Sequence, residues 1–291
     1  MIIFTKNILW KINWERERER ASGTDIRKYS RLPKQLDVLT YSFPCQDLSQ
    51  QGKQKGITKH TRSGLLYEIE RILNVNLDRL PKVLILENVK ALANNKFIND
   101  FQSWIETLNK LGYKSAWKII NSRNYGSSQN RERVFMVSIL GDKTFEFPQQ
   151  NKTDKKLTEI INLNYEHKDL NYLLKKYSFK PFYETKNGIK KSKLENYSSF
   201  NSEAYIYKID GYGPTLTASG ANSRLKFFHN NNLFAMNAIE SYLYMGFDLN
   251  DAKIVKESKL ITESKMIFTA GNSISVEVLE AIFEKLIREY I

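Results

Sequence analysis

A chain of 291 residues, 41% hydrophobic and 26% charged, can bury a large core and is too apolar to be disordered. Its one cysteine excludes an internal disulfide and suits a reducing compartment. Lysine and arginine number 45 against 32 acidic residues, a formal charge of +13; this favours a polyanionic partner, nucleic acid first, although a lysine-rich composition alone also produces basic solvated faces.

The apolar stretch Ile2 to Leu9 is broken by Lys6 and followed by Trp10, Trp14 and the alternating charges Glu15 to Arg20, which read as an exposed helix or arm. No h-region, cleavage site or run of membrane-spanning length occurs, so a cytoplasmic protein is expected, with no membrane partner. After Asp25-Ile26 and a basic linker, Leu36 to Thr40 reads as a buried strand. It stops where Pro44 withholds its N–H, placing Cys45 in the turn beyond. A lone cysteine is ordinarily a small buried hydrophobe, but the carboxyl ends of strands are where open α/β sheets do their chemistry. Asp47 to Arg62, with Gly52 and Gly56 and little periodicity, describes a long loop of the kind that serves as a lid.

Leu65, Leu66, Ile69, Ile72 and Leu73 have helical spacing, ended by Arg79-Leu80-Pro81. Val83 to Leu86 is a second buried strand running into Glu87-Asn88-Val89, and Phe101, Trp104, Ile105 and Leu108 mark another helix, stopped at Leu111-Gly112. Strands are expected at Lys114 to Ile120 and Val134 to Leu140, separated by a loop ending Gln129-Asn130-Arg131-Glu132-Arg133. This alternation implies parallel βαβ units. Past Pro148 the sequence turns rich in Lys, Asn and Tyr with weak periodicity, then helical pattern returns at Met236 to Tyr244 and at Val276, Leu279, Ile282 and Leu286. The partition expected is an α/β domain over 1–148, a smaller domain over 149–232, and a segment over 233–291 returning to the first.

In a parallel sheet all strands end on one edge, so Cys45 and Glu87 share a rim; on neighbouring strands they start about 5 Å apart. A thiol beside a carboxylate is an uncommon pair, because the negative charge disfavours the thiolate. It makes sense where Glu87 is protonated, or shares a proton with substrate, while the thiol attacks. The ordinary reading of Glu87 alone is a helix N-cap or surface carboxylate.

Pro44-Cys45-Gln46, Glu87-Asn88-Val89 and Gln129-Asn130-Arg131-Glu132-Arg133, in this order and spacing, resemble the catalytic motifs of DNA cytosine-5 methyltransferases. Gly271-Asn272-Ser273 is similar to that family's C-terminal cofactor-side motif. The resemblance runs from about residue 25 to the C-terminus. It implies a Rossmann-like methyltransferase fold, an α/β class with a mostly parallel sheet and a smaller target-recognition domain at 149–232. The activity implied is methyl transfer from S-adenosylmethionine to cytosine C5 in double-stranded DNA, as in restriction-modification systems, with no metal.

By this resemblance Cys45 is the nucleophile that adds to cytosine C6, Glu87 the partner of N3 and Arg133 the donor to O2, with Arg131 a structural or orienting charge. An unperturbed thiol, with a pKa of about 8.5, is only slightly ionised at neutral pH, so positive neighbours are needed. The target carbon is unreachable inside a duplex, so the base flips out. Ser49 and Arg62 would hold phosphates, Gln51 would enter the vacated stack, and Thr215 would contact a phosphate. Asp25, Ile26, Pro44, Leu65, Asn272 and Ile274 match cofactor contacts. The run Thr215 to Arg224, containing Ser219, Ala221, Asn222 and Arg224, looks like that of CpG-specific bacterial members; small residues permit close approach to a groove, and Asn or Arg read base edges bidentately.

The family's Phe-x-Gly-x-Gly cofactor turn is absent from residues 1–24, whose one glycine is Gly23, and the usual arginine three residues after Glu240 is Leu243. The sheet is therefore expected to be N-terminally truncated, with a separate polypeptide as a candidate source of the missing half. The alternative is a catalytically inactive remnant that at most binds DNA. A cysteine hydrolase would need His60, His167 or His229 as base, and none has a recognisable catalytic setting.

Overall fold

A computed structural model describes residues 2–4, 26–43, 66–151, 153–198, 201–218 and 224–291. The chain divides into two compact units: Met1–Ile120 with Glu132–Pro148 and Lys285–Ile291, and Asn121–Arg131 with Gln149–Glu284. In packing, residues 233–284 group with 149–232, and only Lys285–Ile291 joins the first unit.

The first unit is built on a sheet of β1 (Ile2–Phe4), β2 (Val38–Tyr41), β3 (Val83–Val89), β4 (Tyr113–Asn121) and β5 (Glu132–Leu140), in the order β1-β2-β3-β5-β4. Two helices join strands: α1 (Leu66–Asn74) precedes β3, and α2 (Ile98–Lys110) connects β3 to β4. Leu66, Ile69, Ile72 and Leu73 of α1 are buried at helical spacing, as are Phe101, Trp104 and Leu108 of α2. Both sets enter one core with Leu39, Tyr41, Leu84 and Leu86. Trp104 Nε1 donates to the Tyr41 hydroxyl at 2.8 Å, and burial pushes that phenol above its usual range.

β2 and β3 run parallel, with Val38 opposite Val83 and Tyr41 opposite Leu86, as the βαβ reading expects. The rest of the sheet corrects the expectation that it is mostly parallel. β3 pairs antiparallel with β5 through seven positions, Val83 opposite Ile139 to Val89 opposite Arg133, and β1 pairs antiparallel with β2. A further parallel strand needs a crossover of a dozen or more residues, usually a helix. Between β4 and β5 the chain has only the 3-10 turn Ser122–Tyr125.

Two polar side chains tie the linker before β2 to α1. Asn76, 1% exposed, donates to the carbonyls of Ser30 and Ile72, both at 2.7 Å, and accepts from the Leu32 N–H at 3.0 Å. Arg71 reaches the carbonyls of Ile26 and Tyr29 at 3.0 and 2.7 Å.

In the second unit, α3 (Asn171–Lys176) precedes a sheet of β6 (Tyr183–Glu184), β7 (Lys190–Lys193), β8 (Tyr205–Lys208), β9 (Lys226–His229) and β10 (Asn232–Ala235), with α4 (Asn201–Ala204) before β8. The order is β10-β9-β8-β7-β6, parallel only at β8–β9. Asn230 and Asn231, both at positive φ, make the two-residue β9–β10 turn that such a hairpin favours. Then come α5 (Ala238–Leu243), α6 (Leu249–Ser258), α7 (Glu263–Asn272) and α8 (Val276–Glu289). Met236, Tyr242, Tyr244, Met266 and Ala270 share a core with Tyr207, Leu216 and Phe227. Among the described residues no single helix is long and apolar enough to cross a membrane.

Replacing Asn76 by Ala strands the Leu32 N–H in the interior and takes the side-chain donor from the Ser30 carbonyl. We expect about 3 kcal/mol less stability, read as a lower denaturant midpoint; a loss within about 0.5 kcal/mol would contradict this role.

Candidate active site

In the first unit the site is set by strand register. Glu87 lies opposite Phe135 and Val89 opposite Arg133, so Glu87 and Arg133 are diagonal neighbours on one face, within reach of long side chains. Arg133 Nε stands 3.3 Å from Glu87 Oε1, and Glu87 is only 8% exposed. Arg133 also donates from Nη1 to the Glu132 carbonyl at 2.9 Å, which holds the guanidinium at the strand end.

Asn88, buried next to Glu87, donates from Nδ2 to the Phe43 carbonyl at 3.1 Å and accepts the Val89 N–H on Oδ1 at 2.9 Å. The side chain therefore ties the segment leaving β2 to the end of β3. Phe43 is itself buried in the core, and it stands two residues before Cys45 in the sequence. Cys45 lies outside the described residues, as do Asp25, Pro44, Leu65, Ser49, Gln51, Arg62, Ser219, Ala221 and Asn222. Ile26 opens the 3-10 turn Ile26–Lys28, half-buried, with its carbonyl held by Arg71.

In the second unit the other predicted residues gather around Gln129-Asn130-Arg131. Arg131, 4% exposed, donates from Nη1 to the Leu216 carbonyl at 2.8 Å and from Nη2 to the carbonyls of Gly271 and Ser273 at 3.2 and 2.8 Å. Thr215 donates its hydroxyl to the Asn130 carbonyl at 2.7 Å, and the Asn130 N–H donates to Gly213 at 2.9 Å. One guanidinium thus holds the chain before the 219–223 segment and the turn carrying Asn272. A planar fork with five donors suits several carbonyls at once, which a lysine does not match.

Gln129 was missed by the sequence reading, although it stands in the quoted motif. It is wholly buried, accepts the Leu216 N–H at 2.9 Å on Oε1 and donates from Nε2 to the Tyr244 carbonyl at 3.1 Å. A buried amide is tolerated when its groups are paired; the signal was a polar pair, Gln129-Asn130, just before an apolar strand. Glu240 is also fully buried, accepting from the Asn162 N–H and bonded to His167 Nε2 at 2.8 Å. It caps α5 through Asn237, so the helix is held without the arginine that Leu243 replaces. Asn272 and Arg224 are exposed, and Ile274 is half-exposed.

Gly271 has a steric reason to be glycine. A Cβ there would fall 2.3 Å from the Thr217 carbonyl carbon and 2.4 Å from the Ala218 nitrogen, backbone atoms that cannot rotate away. Likewise a Cβ at Gly213 would meet the Tyr244 hydroxyl, which donates to the Pro214 carbonyl at 2.7 Å. The two runs singled out from sequence, 215–218 and 271–273, are therefore in direct backbone contact.

The first unit thus carries Glu87 and Arg133 together at the end of β3, and the second unit carries a backbone junction held by Arg131. The model of the C-5 cytosine-specific DNA methylase family matches residues 6–288, and the chain belongs to this family of DNA cytosine-5 methyltransferases. It is 48% identical over 266 residues to the orphan methyltransferase M.SssI of Spiroplasma monobiae, across 90% of this chain and 69% of that protein. It is 30% identical over 280 residues to the type II methyltransferase M2.ScrFI of Lactococcus lactis subsp. cremoris, across 91% and 70%. Among solved structures, the Entamoeba histolytica methyltransferase EhMeth matches with a TM-score of 0.63 at 16% identity, over 88% of this chain and 78% of that one. The S. pombe Dnmt2 methyltransferase matches at 0.60 and 18%, over 87% and 78%. At such identities the structural matches show the fold alone, an α/β methyltransferase fold.

Replacing Gly271 by Ala should shift the thermal midpoint down by the equivalent of about 1–3 kcal/mol, whereas Asn272→Ala, at the exposed neighbour, should stay within about 0.5 kcal/mol. Equal melting of the two variants would show that the close approach is not required.

Proposed function

We propose that the chain methylates C5 of cytosine in duplex DNA, at CpG, through a covalent adduct of Cys45 with a base flipped from the helix. The observation that carries this reading is the parallel β2–β3 pair, with Asn88 holding Phe43 and with Glu87 and Arg133 together at the end of β3. Cytosine C5 is a poor nucleophile, and adding a thiolate to C6 gives an enamine-like ring whose C5 accepts a methyl group. In this scheme the Sγ–C6 bond forms as the ring's C5–C6 π pair moves toward C5, and charge develops at N3 and O2. Glu87 holds the proton at N3, and Arg133 donates to O2. Once C5 carries the methyl group, loss of its proton and departure of Sγ restore the aromatic ring.

S-adenosylmethionine supplies the electrophilic methyl group when bound. Ile26, Asn272 and Ile274 are among the residues proposed to hold it by the resemblance; Asn272 is exposed, and Ile26 and Ile274 are partly exposed. Asp25, Pro44 and Leu65 complete the set. Arg131 acts by position, holding Leu216 and Ser273, and does not act on the base. Ser49, Gln51, Arg62, Thr215, Ser219, Ala221, Asn222 and Arg224 are the proposed DNA contacts. Residues 149–232 form the proposed target-recognition domain, and the protein works in the cytoplasm. Residues 1–24 hold no Phe-x-Gly-x-Gly turn, so a source of that turn, with a separate polypeptide as one candidate, is part of the proposal.

The reading is tested by labelled-methyl transfer to a CpG duplex, with and without a polypeptide supplying the Phe-x-Gly-x-Gly segment. Transfer is expected with the supplement, and Cys45→Ala should abolish it while DNA affinity persists. Glu87→Gln should lower the rate by about 10²–10⁴-fold. Full transfer by Cys45→Ala would remove the sulfur from the mechanism, and transfer on duplexes lacking CpG would remove the specificity.

A further inference from the structure

In the second unit Tyr212 is buried, 3% exposed, and two cations lie over its ring. The Arg123 guanidinium stands 4.0 Å from the ring centroid and the Lys156 ammonium 3.9 Å from it. The Tyr212 hydroxyl donates to Asp154 Oδ1 at 2.8 Å, and the same oxygen pairs with Lys156 at 2.6 Å. Lys156 thus shares a carboxylate with the ring it covers. Arg123 turns to backbone instead, donating from Nη1 to the Asn187 carbonyl at 2.8 Å.

The backbone around Tyr212 is the middle of three segments. Its N–H donates to the Gly188 carbonyl and the Gly213 N–H to the Ser128 carbonyl, both at 2.9 Å. Ile189 bridges Tyr212 and Gln129 bridges Gly213, each in the parallel sense. A Cβ at Gly188 would fall 2.7 Å from a Tyr212 ring carbon, so that turn packs directly on the ring. On the other side, Asn121 closes the 121–131 loop, its Oδ1 accepting the N–H groups of Arg123 and Arg131, both at 3.2 Å. Arg123 therefore leaves an anchored backbone, covers the middle segment's ring and ends on the outer segment, where Asn130 Nδ2 reaches the same Asn187 carbonyl at 3.3 Å. A planar guanidinium can lie on a ring and donate in its own plane at once, which a lysine ammonium does not match.

We propose that Arg123 is a positioning residue for target recognition: through the Tyr212 ring and the Asn187 carbonyl it fixes the backbone that enters the run 215–224. This rests on the methyltransferase reading, in which that run carries proposed base contacts, and it adds a residue that lies outside every motif quoted for the family. The path is short. Thr215 donates to the Asn130 carbonyl and the Leu216 N–H to Gln129, three and four residues after Tyr212, so a shift at the ring moves the start of the run. Fixing that backbone before DNA arrives lowers the ordering cost of recognition.

The test compares the full chain with its Arg123→Ala and Arg123→Lys variants, by amide hydrogen exchange over residues 211–218 and by equilibrium binding to a CpG duplex and to one lacking CpG. Arg123→Ala should lose roughly tenfold in protection at the Gly213 and Leu216 amides. It should also lose roughly tenfold of the preference for the CpG duplex, while affinity for the other duplex holds. Arg123→Lys, which keeps the charge, should restore neither. Protection equal to wild type in Arg123→Ala would overturn the proposal, as would full recovery by lysine. An equal loss of affinity on both duplexes would show that Arg123 acts as a phosphate contact, and would equally overturn it. Wild type with no preference for CpG would defeat the reading of residues 215–224 as target contacts, a result distinct from failure at Arg123, which the exchange reports without DNA.

Discussion

The parallel pairing of Val38–Tyr41 with Val83–Val89 is the constraint on which the first unit's chemistry depends. Parallel strands end on the same edge, so whatever follows Tyr41 and whatever stands at Glu87 emerge side by side. Backbone pairing alone leaves the segment after β2 free to diverge, and Asn88 removes that freedom by holding the Phe43 carbonyl. The antiparallel neighbour β5 then brings Arg133 to Glu87 through register rather than through a loop. Groups held on strands keep their geometry better than groups on loops, which matters because reaction rates fall steeply with small misplacements.

The second unit solves a different problem with the same economy of backbone. Segments far apart in sequence meet here, two of them irregular, near residues 129 and 215, and the third the helix end at Asn272, and their buried backbone groups need partners that no strand ladder supplies. Gln129 and Arg131 provide them, the amide serving Leu216 and Tyr244 and the guanidinium serving Leu216, Gly271 and Ser273. Gly271 allows the approach that those bonds require. Motif residues with charged or amide side chains thus act here as internal scaffolding.

Much of the first unit was legible because its pattern is strong. Leu66, Ile69, Ile72 and Leu73 read as one helix face, and Val83 to Leu86 as a buried strand, because burial there follows simple periods. Strand direction was not legible, since alternation carries no sign of polarity; the antiparallel β5 had to be seen. In the second unit, Lys190-Lys191-Ser192-Lys193 hides a strand because its buried residue is a serine between lysines, and α6 buries only Ala252. The polar staples Asn76, Asn88 and Gln129 were also invisible, as a buried asparagine and an exposed one look alike until their partners are known.

The proposed function requires the Cys45 thiol to reach C6 of a base whose ring the Glu87 and Arg133 pair supports. Its most direct measurement is the rate of covalent complex formation with a duplex carrying 5-fluorocytosine, followed by peptide mapping of the adduct. With a single cysteine in the chain, the account predicts that the adduct maps to the Cys45 peptide and that Glu87→Gln slows its formation. An adduct at any other residue, or one that forms equally fast without the Glu87 carboxyl, would contradict it.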